Sequence, residues 1–185
     1  GSPATAAPPT SKARGYIYFN SELDLWKNGF VQGQERFSTL FHEVMHGLGL
    51  EHPHDEKKYT GEKNSSSYGD GFRNNGLYTA MSYNRSELIP GTPAGFDVAA
   101  LQYLYNANPN FNSIDNSGEN AYLLKDREEF FETIWDTGGT DTISGVGTSS
   151  AVKINLLNLS LNANTPFLSN YSGLRSLATF GGFVI

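Results

Sequence analysis

All four histidines of this 185-residue chain lie within thirteen consecutive residues, "HEVMHGLGLEHPH" at 42–54. The segment overlaps a stripe of apolar residues at helical spacing: Phe37, Leu40, Phe41, Val44 and Leu48. The stripe predicts an amphipathic helix that ends at the glycine pair of residues 47 and 49. His42 and His46 are four residues apart, so they project side by side from one face of this helix. The segment therefore predicts two imidazoles that can meet one metal ion.

The residues after the helix supply a third imidazole. Gly49 can adopt the left-handed conformation that turns a chain back at a helix end, and His52 follows that turn. Three neutral imidazoles around zinc leave a fourth position for water, which is typical of a catalytic site. Glu43 lies at the rim of the same helix face, where a carboxylate can polarise that water without binding the metal. His54, beyond the third ligand and after Pro53, is predicted to be a solvated surface residue.

Composition limits the classes of partner. The chain is 38% hydrophobic and 17% charged, which is typical of a globular protein that buries a core. Its net charge is -6 with only 13 Lys and Arg, so we expect no nucleic-acid partner. No apolar run approaches the roughly 18 residues of a membrane helix, and we expect no membrane span. The chain has no cysteine, which leaves a metal to nitrogen and oxygen ligands.

The pattern along the rest of the chain predicts an α+β fold. Residues 1–14 suggest an extended arm, "GYIYFN" at 15–20 a short strand, and residues 53–77 a long polar surface loop. A second helix is predicted in "GFDVAALQYLYNANP" at 95–109, with one apolar face made by Phe96, Ala99, Ala100, Tyr103 and Leu104. Beyond about residue 110 the chain becomes β-like, in "FFETIWD" and in "AVKINLLNLSLN", where the alternation slips and indicates a bulge.

Two motifs together resemble a known family. The series His-Glu-x-x-His-x-x-Gly-x-x-His at 42–52, followed by proline, resembles the zinc signature of the metzincin proteases in their serralysin branch. "YTAMSYN" at 78–84 resembles the Met-turn of the same family. The helical segment that begins at residue 95 is similar to the helix that follows this turn, and "IWDTGGTDT" at 134–142 resembles the approach to a calcium-binding β-roll.

The resemblance implies a division of the chain. Residues 1–110 would form a truncated zincin catalytic domain, with the zinc helix at about 34–49, the Met-turn at 79–83 and the C-terminal helix at about 95–106. Residues 111–185 would form a β-rich, calcium-binding segment like the start of a β-roll.

The resemblance also implies a function and its residues. The chain would be a secreted, bacterial-type zinc endopeptidase that cleaves extended protein substrates through a zinc-bound water activated by Glu43. One catalytic zinc ion would be held by three histidines and by Tyr83, an extra ligand that is displaced and then hydrogen-bonds the oxyanion; the histidines are His42, His46 and His52. Met81 would lie beneath the zinc. The alternatives are that Met81 is an ordinary core methionine and that Tyr83 is an ordinary buried tyrosine.

A structural calcium site is a further expectation. Calcium prefers six to eight oxygen ligands, often carboxylates mixed with carbonyls of glycine turns. "DNSGEN" at 115–120 and "DTGGTD" at 136–141 offer two such turns. By resemblance, the ligands would be Asn116, Gly118, Asn120, Asp136, Gly138 and Asp141. The alternative is a pair of polar turns without a metal.

The front of the chain departs from the family pattern. Only 41 residues precede the first histidine, whereas the resemblance implies a long helix and several more strands there. The chain would be a naturally small version, a fragment, or a part that a second chain or a longer parent chain completes. "PATAAPP" at 3–9 lies where a substrate-aligning edge strand is expected, although its prolines limit pairing.

Two non-enzymatic alternatives remain open. The first is a non-catalytic or partner-dependent fragment of a larger secreted calcium-binding protein, against which the intact Glu43 and Tyr83 argue. The second is a structural zinc protein, which needs a fourth strong ligand to close the site, and no cysteine exists to supply one.

Overall fold

The computed structural model describes residues 2–7, 12, 15–27, 29–54, 74–84, 89–106, 118–124, 130–134, 139–149, 151–152, 154, 169–170 and 182–184. Its elements are mixed helix and strand. In chain order they are β1 (Ala4–Ala6), β2 (Ile17–Phe19), a 3-10 turn (Asp24–Trp26), α1 (Glu35–Gly47), β3 (Ile89–Pro90), α2 (Gly95–Tyr105), β4 (Ala121–Leu123), β5 (Phe130–Thr133), β6 (Thr142–Ser144), β7 (Ser169–Asn170) and β8 (Gly182–Val184).

The N-terminal arm forms an antiparallel pair, β1 with β2, which packs against α1. At its two ends, Ala7 N–H donates to the Tyr16 carbonyl and Asn20 N–H to the Pro3 carbonyl. Main-chain groups alternate between the two sides of a strand. The N–H and C=O groups of Ala4 and Ala6 therefore point to the opposite edge of β1, away from β2.

Helix α1 ends in a glycine turn. Gly49 has φ of 99°, and its N–H donates to the His46 carbonyl, while Leu50 N–H donates to the Met45 carbonyl. These two bonds form a Schellman motif, in which a left-handed residue satisfies the last carbonyls of a helix. Leu50 and Met45 are buried in the same apolar cluster. The helix predicted over about 34–49 is observed at Glu35–Gly47, and its end redirects the chain toward His52.

Helix α2 is capped by its own first turn. Asp97 is 1% exposed, and its carboxylate accepts the N–H of the N-cap residue Ala94 at 2.8 Å. The helix predicted over about 95–106 is observed at Gly95–Tyr105, but its predicted apolar face is partly wrong. Tyr103 and Leu104 are 88% and 50% exposed, because the core cluster beneath α2 reaches only Ala100 and Leu101.

The second half of the chain is built from short strands. One sheet has the order β3-β5-β8-β7, with β3, β5 and β8 parallel and β7 antiparallel to β8. A separate parallel pair joins β4 to β6. The strand predicted in "FFETIWD" is β5, whereas most of "AVKINLLNLSLN" and its predicted bulge lie outside the described residues. Among the described residues, the helices are all too short or too polar to cross a membrane.

The sheet that contains β5 is joined to the loop before α1. Gln32 Nε2 donates to the Gly91 carbonyl at 3.1 Å, and Gly91 N–H donates to the Phe131 carbonyl at 2.7 Å. The ring of Phe130 lies so close to Gly33 and Gly91 that a Cβ at either position would overlap it. The two glycines thus allow this close approach.

Candidate active site

Three histidine side chains converge at the end of α1. His52 Nε2 lies 3.2 Å from His42 Nε2 and 3.0 Å from His46 Nε2. Tetrahedral zinc with Zn–N bonds of about 2.0–2.1 Å places its ligand nitrogens roughly 3.3 Å apart. The three nitrogens therefore have the spacing of one metal coordination sphere, and among the described residues they are the group that could hold a metal ion.

Main-chain carbonyls orient two of these imidazoles. His42 Nδ1–H donates to the Ala80 carbonyl and His46 Nδ1–H donates to the Leu50 carbonyl, each at 2.7 Å. With the proton on Nδ1, the Nε2 lone pair of each ring faces the convergence point. Burial lowers the pKa of His42 to about 4, against the opposing effect of its bond to Ala80. His42 is therefore neutral at pH 7, the form that binds a metal.

Glu43 lies between the zinc helix and β1. Its side chain is buried, with 7% of the residue exposed, and the main-chain N–H of Ala6 donates to its carboxyl group. Burial raises the pKa of Glu43 above its ordinary value, while His46 and the Ala6 N–H act in the opposite direction. The structure thus joins this carboxyl group to the outer edge of β1.

The segment 74–84 is held beside the histidines by Asp97. Thr79 Oγ1 donates to Asp97 Oδ1 at 2.5 Å, and Ala80 N–H donates to Asp97 Oδ2 at 2.8 Å. Ala80 also provides the carbonyl that orients His42. Burial raises the pKa of Asp97 to about 6, against the effect of the three donors that contact it. Asp97 therefore links the start of α2 to His42 through one residue, Ala80.

Met81 and Tyr83 occupy different environments. Met81 is 1% exposed and packs with Met45, Leu50 and Ala80 in one apolar cluster. Tyr83 is 47% exposed, so it is not a buried tyrosine. Its ring centroid lies 4.5 Å from that of His52 and 5.8 Å from that of His42, which places the phenol ring against the histidine group.

The prediction that His54 is solvated is wrong. The residue is half-buried, and its ring is stacked on His52 with the centroids 4.9 Å apart and the planes at 14°. It also contacts the ring of Tyr83 at 5.0 Å. The turn after Gly49 explains the difference, because it folds the chain back onto the site instead of leading it into solvent.

Three of the six predicted calcium ligands are described. Asn120 N–H donates to Asp141 Oδ1 at 2.9 Å, and Asn120 Nδ2 donates to the Gly118 carbonyl at 3.2 Å. The described parts of the two predicted turns, residues 118–120 and 139–141, are therefore in contact. The other three predicted ligands lie outside the described residues: Asn116, Asp136 and Gly138.

The site includes residues that the sequence reasoning missed. Asp97 had a local signal, since an acid at the third position of a predicted helix often bonds back to the N-cap residue. No sequence pattern could have indicated the carbonyls of Ala80 and Leu50 or the N–H of Ala6, because almost every residue has the same main-chain groups. Only the folded chain brings them to His42, His46 and Glu43.

A helix with two imidazoles one turn apart, a glycine turn and a returning third imidazole defines the class of three-histidine metal centres of zinc enzymes. No family model matches the chain. Serralysin of Photorhabdus laumondii is 32% identical over 164 residues, which covers 78% of this chain and 32% of that relative. Serralysin B of Dickeya chrysanthemi is 31% identical over 174 residues, which covers 82% of this chain and 34% of that relative. Metallopeptidase AprA of Pseudomonas marginalis is 32% identical over 169 residues, which covers 78% of this chain and 35% of that relative.

The chain is a serralysin-like member of the metzincins. It spans about a third of the length of the curated relatives it matches.

Proposed function

We propose that this chain is the catalytic part of a zinc-dependent endopeptidase that hydrolyses peptide bonds of extended protein substrates. The observation that carries the proposal is the convergence of three Nε2 atoms beside a buried carboxyl group, that of Glu43. The names of the similar proteins, serralysin and metallopeptidase, support it. Because the chain spans only a third of these relatives, we propose the activity for this segment on the chemistry of its own residues.

The proposed metal ligands are His42, His46 and His52, with Tyr83 as an additional, displaceable ligand. Three neutral imidazoles, with no thiolate to close the coordination sphere, suit a zinc site that keeps its fourth coordination position open for water or substrate. When bound, zinc would lower the pKa of a water in contact with it and polarise the scissile carbonyl. Met81, buried in the cluster that includes Met45 and Ala80, is the proposed Met-turn residue.

Glu43 is the proposed general base and acid. Its carboxylate accepts a proton from the attacking water and returns the proton to the leaving amine. The bond from Ala6 N–H fixes one side of the carboxyl group, so the group stays oriented while the proton moves. The phenol of Tyr83, which lies beside His42 and His52, would donate a hydrogen bond to the oxyanion.

The proposed substrate-aligning element is the outer edge of β1. The main-chain groups of Ala4 and Ala6 point to this edge, and an extended peptide can add to such an edge as another strand. Since Ala6 also contacts Glu43, a peptide on this edge passes next to the general base. Main-chain bonding of this kind recognises extended protein chains with limited dependence on sequence.

The test is hydrolysis of an unfolded protein by the zinc-loaded chain and by a Glu43→Gln variant. We expect the variant to bind zinc normally and to lose activity by about 10²- to 10⁴-fold, because it lacks the proton acceptor. The matched control is Glu51→Gln, which changes an exposed carboxylate just beyond the helix and leaves activity unchanged. Equal activity in wild type and Glu43→Gln would reject the role of Glu43. A zinc-loaded wild type without activity would support a partner-dependent fragment instead.

Two further parts of the proposal follow the family resemblance. The turns that meet at Gly118, Asn120 and Asp141 are proposed to bind a structural calcium ion, completed by Asn116, Asp136 and Gly138. The contact of Asn120 with Asp141 supports this.

The proposed location of the protein is outside a bacterial cell. Fractionation of the producing cells would test this location, and retention of the protein in the cytoplasm would contradict it.

A further inference from the structure

His54 makes two ring contacts at the proposed catalytic site. It is stacked on His52, with the planes at 14°, and it meets Tyr83 with the planes at 51°. The Nδ1 atom of His54 is shielded from solvent. Since Tyr83 also contacts His52 at 4.5 Å, the three rings touch one another pairwise and form a cluster, here termed the ring triad.

The members of the ring triad have different relations to the metal site. His52 belongs to the group of converging nitrogens, and His54 does not. Tyr83 is 47% exposed, so only part of its ring is fixed by packing. Among the described residues, the ring contacts of Tyr83 include those with His42, His52 and His54. Of these three, His54 alone has no proposed role as a ligand.

We propose that His54 is a positioning residue that holds the Tyr83 ring beside the three metal-ligating histidines and so favours the state in which Tyr83 contacts the metal. The proposal rests on the proposed function, because it takes Tyr83 as a displaceable ligand. An aromatic pair contact changes an equilibrium constant by about two- to twelvefold. Removal of the His54 ring therefore shifts the balance between the metal-contacting and displaced positions of Tyr83 by that factor, toward the displaced one.

The test uses copper(II) in place of zinc, because a phenolate bound to copper gives a charge-transfer absorption band that reports Tyr83 directly and needs no substrate. Four copper-loaded proteins are compared: wild type, His54→Ala, His54→Phe and, as the blank without the phenol oxygen, Tyr83→Phe. We expect the band in wild type, a weaker band in His54→Ala, and a band close to wild type in His54→Phe, which keeps an aromatic ring.

Copper affinity and thermal unfolding of each variant separate positioning from general damage to the site. A weaker band in His54→Ala at unchanged copper affinity and unfolding temperature supports the proposal. If His54→Ala is unstable, His54→Leu provides a side chain of similar bulk without a ring, and the same loss of the band is expected.

Three outcomes overturn the proposal: an undiminished band in His54→Ala, equal losses in His54→Ala and His54→Phe, or no band in wild type. The last outcome removes Tyr83 as a ligand but leaves the protease proposal intact if the Glu43-dependent hydrolysis persists. Conversely, a band that depends on His54 in a chain without hydrolytic activity supports the positioning role and rejects only the enzymatic function.

Discussion

At the scale of single residues, burial shifts two pKa values in opposite directions. It lowers the pKa of His42 to about 4 and raises that of Asp97 to about 6. His42 thereby stays neutral and Asp97 holds its proton to a higher pH than an exposed aspartate. Both residues contact Ala80: its carbonyl accepts from the His42 imidazole, and its N–H donates to the helix-capping carboxyl group of Asp97.

The raised pKa of Asp97 predicts a pH dependence of stability in the metal-free protein. Between pH 3.8, the ordinary pKa of an aspartate, and about pH 6, folded Asp97 retains a proton that the unfolded chain has released. The free energy of unfolding therefore falls as the pH rises through this window. Asp97→Asn has no such titration, so we expect the difference between wild type and variant to fall by about 2 kcal/mol from pH 4 to pH 6.

Urea unfolding at several pH values measures this difference. The lowered pKa of His42 acts in the opposite direction over the same range, but it is present in both proteins and cancels in the subtraction. A difference that stays constant from pH 4 to pH 6 would show that Asp97 is already ionised at pH 4.

The residues of the site differ in how far the sequence could predict them. The grouping of His42, His46 and His52 follows from helix geometry and one glycine turn, which are local properties. Asp97 contacts Thr79 and Ala80, which lie 18 and 17 residues earlier in the chain, and that approach depends on packing. The prediction that His54 is exposed was wrong for the same reason: the path of the chain after the turn depends on packing, and residue polarity does not reveal it.

At the scale of elements, the end of α1 controls the geometry of the site. The turn at Gly49 brings the Leu50 carbonyl to His46 and returns the chain toward His52. Gly47, two residues earlier, lies within the helix and has open space where a Cβ would be. The left-handed backbone at residue 49 favours glycine, whereas residue 47 has an ordinary helical backbone with room for a side chain. The sequence alone does not distinguish the two glycines.

Alanine substitutions at these two glycines should have opposite effects. Gly49→Ala forces a Cβ into a left-handed conformation and should lower the free energy of unfolding by about 1–2 kcal/mol. Gly47→Ala should raise it by about 0.5–1 kcal/mol, since alanine is favoured inside helices. Urea unfolding measures both changes, and a zinc titration should show weakened affinity in Gly49→Ala alone. Unchanged zinc affinity in Gly49→Ala would mean that the turn does not position His52.

Helix α1 was predictable because its apolar periodicity is strong, and β5 followed from the aromatic and β-branched residues of "FFETIWD". Helix α2 is apolar on most of its sides, so its position followed from its run of apolar residues and not from one clear apolar face. The exposed end of α2 was not predictable. Periodicity identifies an apolar face, but it does not show how far the core extends along it, and Tyr103 and Leu104 lie beyond that limit. The pairing of β5 with both β3 and β8 is likewise a long-range property.

At the scale of the whole molecule, two connections join the histidine region to the β-rich half. Phe130 packs against Gly33 and Gly91, between the loop before α1 and the sheet. Phe131 is fully buried and packs against Ala94, the N-cap residue of α2. The β-rich half therefore packs directly against the loop before α1 and against the start of α2.

Calcium should stabilise the folded chain if the proposed site exists. The turns at Asn120 and Asp141 lead directly into β4 and β6, so an ion there would hold the two strands together. Free calcium at 100 times its dissociation constant should raise the free energy of unfolding by about 2.7 kcal/mol, and chelation should reverse this. Asp141→Asn should lose most of the effect, whereas Glu119→Gln, at an exposed acid of the same turn, should keep it. Thermal unfolding with and without calcium measures this effect, and equal unfolding temperatures would exclude a stabilising calcium ion.

The acceptors that orient His42 and His46 are main-chain carbonyls, those of Ala80 and Leu50. Replacing a side chain at position 50 or 80 cannot delete a carbonyl, so the two imidazole orientations are insensitive to many point substitutions. An insertion or deletion of one residue between 47 and 52 would instead move the Leu50 carbonyl away from its donor. In an evolving lineage, this centre should therefore tolerate substitutions at positions 50 and 80 far better than any change in the length of the loop between 47 and 52.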